Sequence, residues 1–351
     1  MTWTSRILAV ETLAIAGTFA LALDVYAHKR VEDLGGVNIW GYRGPVAHQR
    51  QLNEIRVAVV GGTRAFGWGG PASALVSEIR RLIMLTTDRP GAEVRPVVAI
   101  NLGRLGALPD SYQETLEHFS YLQPDYICLY DDLGVRGGSS TQDTSGVFAL
   151  TGYAPALPLV LREKGMVWRL GDVQRGYASA ESQRKAGTFV LWRAAGSTLE
   201  AVADTLSAAD RAVLAMLPPR GVRLQPDRSV RSVRPQADRP ERSVRLQADP
   251  VGYADLMMAT IDTAHRHARG VVVVVSPAET GEQAGNLRAL KARLDGTLGS
   301  APWLRFVDLG GEAALSVDGE LRLDGWNYAS AGIALVANRI APALLSLIAK
   351  S

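Results

Sequence analysis

The stretch Arg56-Val57-Ala58-Val59-Val60-Gly61-Gly62-Thr63-Arg64-Ala65-Phe66-Gly67-Trp68-Gly69 constrains this chain more than any other. Val57 to Val60 reads as a strand buried on both faces, as in a parallel sheet. The run stops on two glycines and a hydroxyl, and a second glycine pair leads toward a helix. A parallel α/β sheet brings a reactive hydroxyl to the carboxyl end of its first strand in this way.

Strand and helix patterns alternate along the rest of the chain. Residues 31–54 read as a polar connector with Gly-Gly and Gly-Pro breaks. Residues 71–85 read as a helix, with Pro71 in its first turn and Leu75, Ile79, Leu82 and Ile83 at helical spacing. A strand is expected over 94–101, a helix over 111–121 and a strand over 125–130. A Gly/Ser/Thr-rich loop then covers 134–148. Residues 151–161 are apolar but carry Pro155 and Pro158, and read as a lid or surface segment. Helices are expected over 197–217, capped by Ser197 or Thr198, and over 251–268. Val271 to Val275 runs into Ser276-Pro277 as a fully buried strand. Helix 282–298, strand 304–309 and helix 329–348 complete the order. The pattern implies a three-layer α/β fold, a parallel sheet flanked by helices, with ligands at the carboxyl ends of the strands.

The amino terminus is separate in kind. Ile7 to Leu23 is almost wholly apolar, with Arg6 before it and Lys29 and Arg30 after it. Residues 7–27 are long enough to cross a bilayer as a helix, although Glu11 and Asp24 each oppose burial in lipid. Residues 1–30 are therefore a membrane anchor or a signal peptide with Ala20-Leu21-Ala22 as its small-residue site. An amphipathic core helix is the third reading. The first two place the main domain, residues 55–348, outside the cytoplasm.

The net charge of +3 is local. Residues 220–249 hold eight arginines against Asp227, Asp238, Glu241 and Asp249, which leaves the remainder near minus one. Val222-Arg223-Leu224-Gln225-Pro226-Asp227 recurs from Val233 and from Val244. This repeat has little apolar surface to bury, so 220–250 reads as a disordered arginine-rich insertion in the main domain. A polyanion-binding arm is the functional alternative, and nucleic acid is not an expected partner. Cys128 is the single cysteine and lies in an apolar run, as a buried small hydrophobe does.

In four blocks the chain resembles the SGNH, or GDSL, hydrolase superfamily, and specifically its membrane-anchored bacterial members. The resemblance spans roughly residues 37–133 and 252–345. The leader Asn38-Ile39-Trp40-Gly41-Tyr42-Arg43-Gly44-Pro45 resembles their approach to the first strand. Gly61 to Gly69 resembles the nucleophile block, Asn101 to Gly106 the second block, Leu129-Tyr130-Asp131-Asp132-Leu133 the Gly-x-Asn-Asp block, and Asp324-Gly325-Trp326-Asn327 the closing Asp-x-x-His block. The resemblance implies an SGNH-hydrolase-like, flavodoxin-like fold and an ester hydrolase acting on acylated carbohydrate or lipid, without cofactor or metal. It assigns Thr63, Asp324 and Asn327 to the catalytic positions and Gly62, Gly106 and Asp131 to the oxyanion hole. Trp68 and Trp326 fall at the cleft mouth, where aromatics stack on sugar faces or pack the rim.

Three of these positions depart from the pattern. Thr63 stands in place of serine and carries a methyl that crowds attack. Asn327 stands in place of histidine, and an amide is no general base near neutral pH, so Asp324 has no imidazole to orient. Asp131 stands in place of asparagine, and an ionised carboxylate only accepts hydrogen bonds. Losing one oxyanion donor alone costs about 10²–10³ in rate. His28 and His48 fall in the connector, His118 in a helix, and His265 and His267 in the helix before the valine strand, at the far end of the sheet, so none is placed to substitute. Asp131 and Asp132 have no histidine or third acid at ligand spacing, so no metal is expected. The functional expectation is a silent or strongly impaired esterase. The alternatives are an active threonine esterase and a membrane-tethered, non-catalytic glycan-binding or scaffold protein in envelope polysaccharide assembly.

Overall fold

The computed structural model describes residues 3–33, 36–67, 74–87, 95–104, 106–133, 145–171, 190–217, 250–297, 301–316, 321 and 328–350. The chain divides into two compact units, Tyr42–Ser140 with Val222–Ser351, and Met1–Gly41 with Thr141–Gly221.

The first of these units is a five-stranded parallel α/β sheet. Its strands are β1 (Ile55–Gly61), β2 (Val97–Asn101), β3 (Tyr126–Asp131), β4 (Gly270–Val275) and β5 (Leu304–Asp308), in the order β2-β1-β3-β4-β5. All four pairings are parallel, with Val59 opposite both Asn101 and Cys128 and Val273 opposite Leu129 and Phe306. This is the flavodoxin-like order, whose direction reverses between β1 and β3. β1, β3 and β4 are buried at every position, as strands covered on both faces must be.

Alternate side chains feed two cores. Val57, Val59, Cys128, Val272 and Val274 meet Leu75, Ile79 and Ile83 of one helix (Ala74–Thr87) and Ile333, Val336, Ile340 and Leu344 of the closing helix (Ser330–Ile348). The closing helix is apolar enough to cross a membrane, yet 44% of it is buried, as befits a core helix of the sheet. The other face is covered by a helix over Pro109–His118, one over Pro250–His267 and one over Gly281–Thr297, which bring buried Tyr112, Leu116, Met257, Ile261 and Leu290. The buried leader residues Tyr42 and Arg43 also belong to this unit. The Arg43 amide donates to Asn101 O at 3.0 Å, and its guanidinium donates to Phe66 O and lies over the Phe66 ring. Burial pulls the Arg43 pKa down to about 10.

The second unit is helical. In chain order its helices are αA (Trp3–Asp33), αB (Gly146–Thr151), αC (Leu157–Leu170) and αD (Val190–Met216). αC and αD pack so closely that a Cβ on Gly165 would lie 2.7 Å from Gly196 O, and one on Gly196 would lie 2.5 Å from Gly165 O. Arg169 grips Glu200 through two hydrogen bonds, of 2.7 and 3.1 Å, across the same pair.

Ser5–Lys29 of αA is long and apolar enough to span a membrane, and only 6% of its apolar window is buried. Near its carboxyl end that stretch makes polar contacts within the helical unit. Asp24 is buried and accepts from the amides of Ala156 at 3.0 Å and Leu157 at 2.5 Å and from the Tyr153 hydroxyl, so it caps the start of αC. His28 lies in this helix and not in a connector. One ring nitrogen is 3.0 Å from Val37 O and the other lies against Ala154 O. The 151–161 segment is likewise not a free lid, since αB ends at Thr151 and Leu157 and Pro158 open αC. The arginine-rich repeats lie outside the described residues.

Candidate functional site

Gly61 ends β1 because nothing larger fits there. A Cβ would lie 2.0 Å from Tyr130 O and 2.7 Å from the Ala65 Cβ. Gly62 then opens a four-residue helical turn, Thr63–Phe66, which closes on Gly67 in the left-handed region. The chain thus turns sharply at the carboxyl end of β1, and Thr63 stands beside the point where the sheet reverses direction. Ligands of open α/β sheets bind in that crevice.

The second block meets Thr63 from the adjoining strand. Asn101 donates to Ala65 O at 3.1 Å and accepts from the Gly103 amide at 2.9 Å, which fixes the loop after β2 against the turn. A Cβ on Gly103 would lie 2.4 Å from the Phe66 nitrogen, so this glycine serves close packing. Gly106 has φ +68°, a conformation open to glycine at low cost, and its amide donates to Thr63 Oγ1 at 3.1 Å. Three of the expected residues, Gly62, Thr63 and Gly106, are therefore together. The amide expected to serve an oxyanion instead donates to the threonine hydroxyl.

Asp131 ends β3 and is fully buried, but it does not present a bare carboxylate. It accepts from the Tyr253 hydroxyl at 2.5 Å, the Tyr112 hydroxyl at 2.9 Å and the Leu133 amide at 2.7 Å. Burial pushes its pKa up to about 6, with Asp132 adding to the rise and the hydrogen bonds from Tyr253, Tyr112 and Leu133 opposing it. Both tyrosine hydroxyls are themselves pushed well above their ordinary range, chiefly by burial and then by the Asp131 charge, so they remain proton donors to the acid.

Asp132 points into the crevice. Its Oδ2 is 3.2 Å from where a Cβ on Gly62 would stand, and its Oδ1 accepts from the Ser276 hydroxyl at 2.9 Å. Arg64 lies 3.5 Å from Asp132 and 2.6 Å from Glu279, with its guanidinium over the Tyr328 ring. Burial disfavours the Arg64 charge, but Asp132, Tyr328, Tyr130 and Glu279 together hold its pKa above the ordinary range. A positive charge is thus locked beside Thr63 by two acids, an arrangement that leaves Arg64 little freedom to engage a ligand.

Asp324, Trp326, Asn327 and Trp68 lie outside the described residues. The five histidines are all described. His48 pairs with Glu54 at 3.0 Å just before β1, and His118 closes the helix that leads to β3. His265 stacks on Trp303 at 3.7 Å, and His267 lies 3.3 Å from Glu117, both at the end of the helix leading to β4. These four stand on segments that lead into the amino ends of strands, whereas Thr63 follows a carboxyl end. His28 belongs to the helical unit. Among the described residues no group of three or more His, Cys, Asp or Glu side chains forms a metal site.

Sequence spacing alone did not reveal Tyr112, Tyr253, Arg64 or Glu279 as members of this cluster. Ser276 did carry a signal, as the first polar residue after five valines at a strand end.

No family model matches the chain, and no curated protein matches it. Among solved structures it is similar to the lipase Lip_vut3 from a goat rumen metagenome, at 11% identity and a TM-score of 0.37, over 82% of this chain and 97% of that one. At that score the likeness adds nothing to the strand order in defining the fold.

Proposed function

We propose that the sheet unit is an SGNH-type ester-hydrolase scaffold that has lost most or all of its catalysis, held outside the cytoplasm by αA. A single observation carries the proposal. At the reversal point of the sheet, the Thr63 hydroxyl accepts from the Gly106 amide, and among the described residues no histidine stands near it to take its proton. The residue that the resemblance gives to the oxyanion hole, Asp131, has its oxygens occupied by two tyrosines and an amide. Nucleophilic attack by an alcohol needs a base, and the developing oxyanion needs donors. Among the described residues, the hydroxyl of Thr63 and the Gly106 amide that donates to it are the groups that meet here. Its retained ligand is an acylated carbohydrate or lipid ester, bound but not turned over, with Trp68 and Trp326 at the rim. The protein then works as a tethered binder in envelope polysaccharide assembly.

The test is hydrolysis of para-nitrophenyl acetate and acetylated xylan by the full chain and by Thr63→Ala. Equal rates at background support the reading. Turnover in the parent that Thr63→Ala abolishes would establish a threonine esterase and overturn it.

A further inference from the structure

αA docks on its own unit through very few side chains. Among its described residues, Asp24, Ala27 and His28 are the buried ones. The spacing i, i+3, i+4 puts them on one face of the helix. Asp24 and His28 are ionisable, at 5% and 2% exposure, so the docking face is a buried polar pair and not an apolar stripe.

The partners of the His28 ring fix its protonation. Nδ1 is 3.0 Å from Val37 O, and Nε2 lies against Ala154 O. A backbone carbonyl only accepts, and a neutral imidazole has a single N–H. With one proton the ring would satisfy one carbonyl and turn a lone pair on the other. With two protons it satisfies both. Asp24 supplies the matching charge, its Oδ2 lying 3.4 Å from Nε2. That carboxylate also accepts from the Tyr153 hydroxyl and from the amides of Ala156 and Leu157. The titratable groups that the described contacts bring to His28 are thus Asp24, from its own helix, and Tyr153, from the segment before αC. The Tyr153 ring meets the imidazole edge to face with centroids 5.7 Å apart. Neither group is a cation, and the next residue, Lys29, is exposed.

We infer that His28 is a pH-sensitive latch. As the imidazolium it ties together the end of αA, Val37 beyond it, and the segment 153–157 that leads into αC, and it releases them when the ring gives up a proton. The sign follows from the partners. The cation is the form that two carbonyls and a carboxylate accept, so the latch is closed on the acidic side of the imidazole range and opens on the basic side. Loss of the proton sets a lone pair against a buried carbonyl and removes the positive charge from beside Asp24, and both changes are costly away from water. The latch belongs wholly to the helical unit.

The experiment uses the full chain in nanodiscs with isotope-labelled histidine, titrated between about pH 5 and 9, which brackets the ordinary imidazole range. Nuclear magnetic resonance of the ring nitrogens separates one-proton from two-proton rings, and the His28 signal is the one missing from His28→Gln. Removing His48, His118, His265 and His267 one at a time identifies the other signals, so the ring readout does not depend on that variant folding. In parallel, hydrogen exchange of the backbone over 152–160 is followed relative to the intrinsic rate at each pH. The expected result is a His28 ring with two protons at the acidic end and one at the basic end. Protection of 152–160 falls by about tenfold or more over the same interval, and no such step occurs in His28→Gln. A ring that keeps the same number of protons throughout overturns the inference. An equal step in a folded His28→Gln also overturns it and assigns the loosening to another group.

Discussion

Asp131 is an acid whose chemistry burial changes within the ordinary working range of pH. Its pKa rises from 3.8 to about 6 on folding, with burial the largest cause. A raised carboxylate pKa means that the folded state prefers the neutral acid. The stability it contributes is fully present below 3.8 and is lost as the pH rises through about 6. The swing is on the order of 2–3 kcal/mol. Asp131→Asn removes that titration, so unfolding free energies measured in urea should fall less steeply between pH 4 and 6 than in the parent. An unchanged slope would assign the titration to another group. Gly61 makes a second prediction at this scale. Because a Cβ there strikes the backbone of β3, Gly61→Ala should cost about 3 kcal/mol or more, read as a lower midpoint in chemical denaturation. A loss below 1 kcal/mol would show that β1 and β3 can separate at this point.

Among the elements, strands and amphipathic helices were legible because their periodicities are strong. The disagreements have local causes. αC was missed because Pro155 and Pro158 read as breakers, yet Pro158 sits in the first turn of αC, where its missing N–H costs nothing. αD begins at Val190 and not at Ser197, because Thr198 is no cap. Its hydroxyl bonds back to Ala194 O inside a helix already formed. Asp24 read as a cost to a membrane span, whereas in the fold it serves as the cap of αC. Asp24→Ala should therefore loosen αC by about 1–2 kcal/mol. In the full chain held in nanodiscs, limited proteolysis would detect this as faster cleavage within 157–170. Unchanged cleavage would mean that the αD contact alone holds αC.

At the scale of the whole molecule, the alternation of patterns was enough to read a parallel sheet and to place Thr63 at a strand end. The cluster around it was not legible. Tyr112 and Tyr253 lie on different helices far apart in sequence, and only the packing of those helices on one face of the sheet brings both to Asp131. Spacing within a motif carries no trace of such a meeting. The blocks that resemble a hydrolase are short and local, and for that reason were visible. The eleven-residue repeats suggest a stretch outside any core, so removing residues 233–243 should leave the thermal midpoint of the full chain unchanged by calorimetry. A lowered midpoint would give the repeats a structural role.

The central claim is that an esterase scaffold persists here without its chemistry. It is tested most directly by assaying ester hydrolysis by the full chain carrying Thr63→Ser, Asp131→Asn and Asn327→His together, beside the parent and beside the same triple variant with the nucleophile position changed to alanine. The account predicts background rates in the parent, turnover in the triple variant, and loss of that turnover in the alanine control. A correctly folded triple variant as inert as the parent would contradict it, because restoring the three groups would then have restored no site.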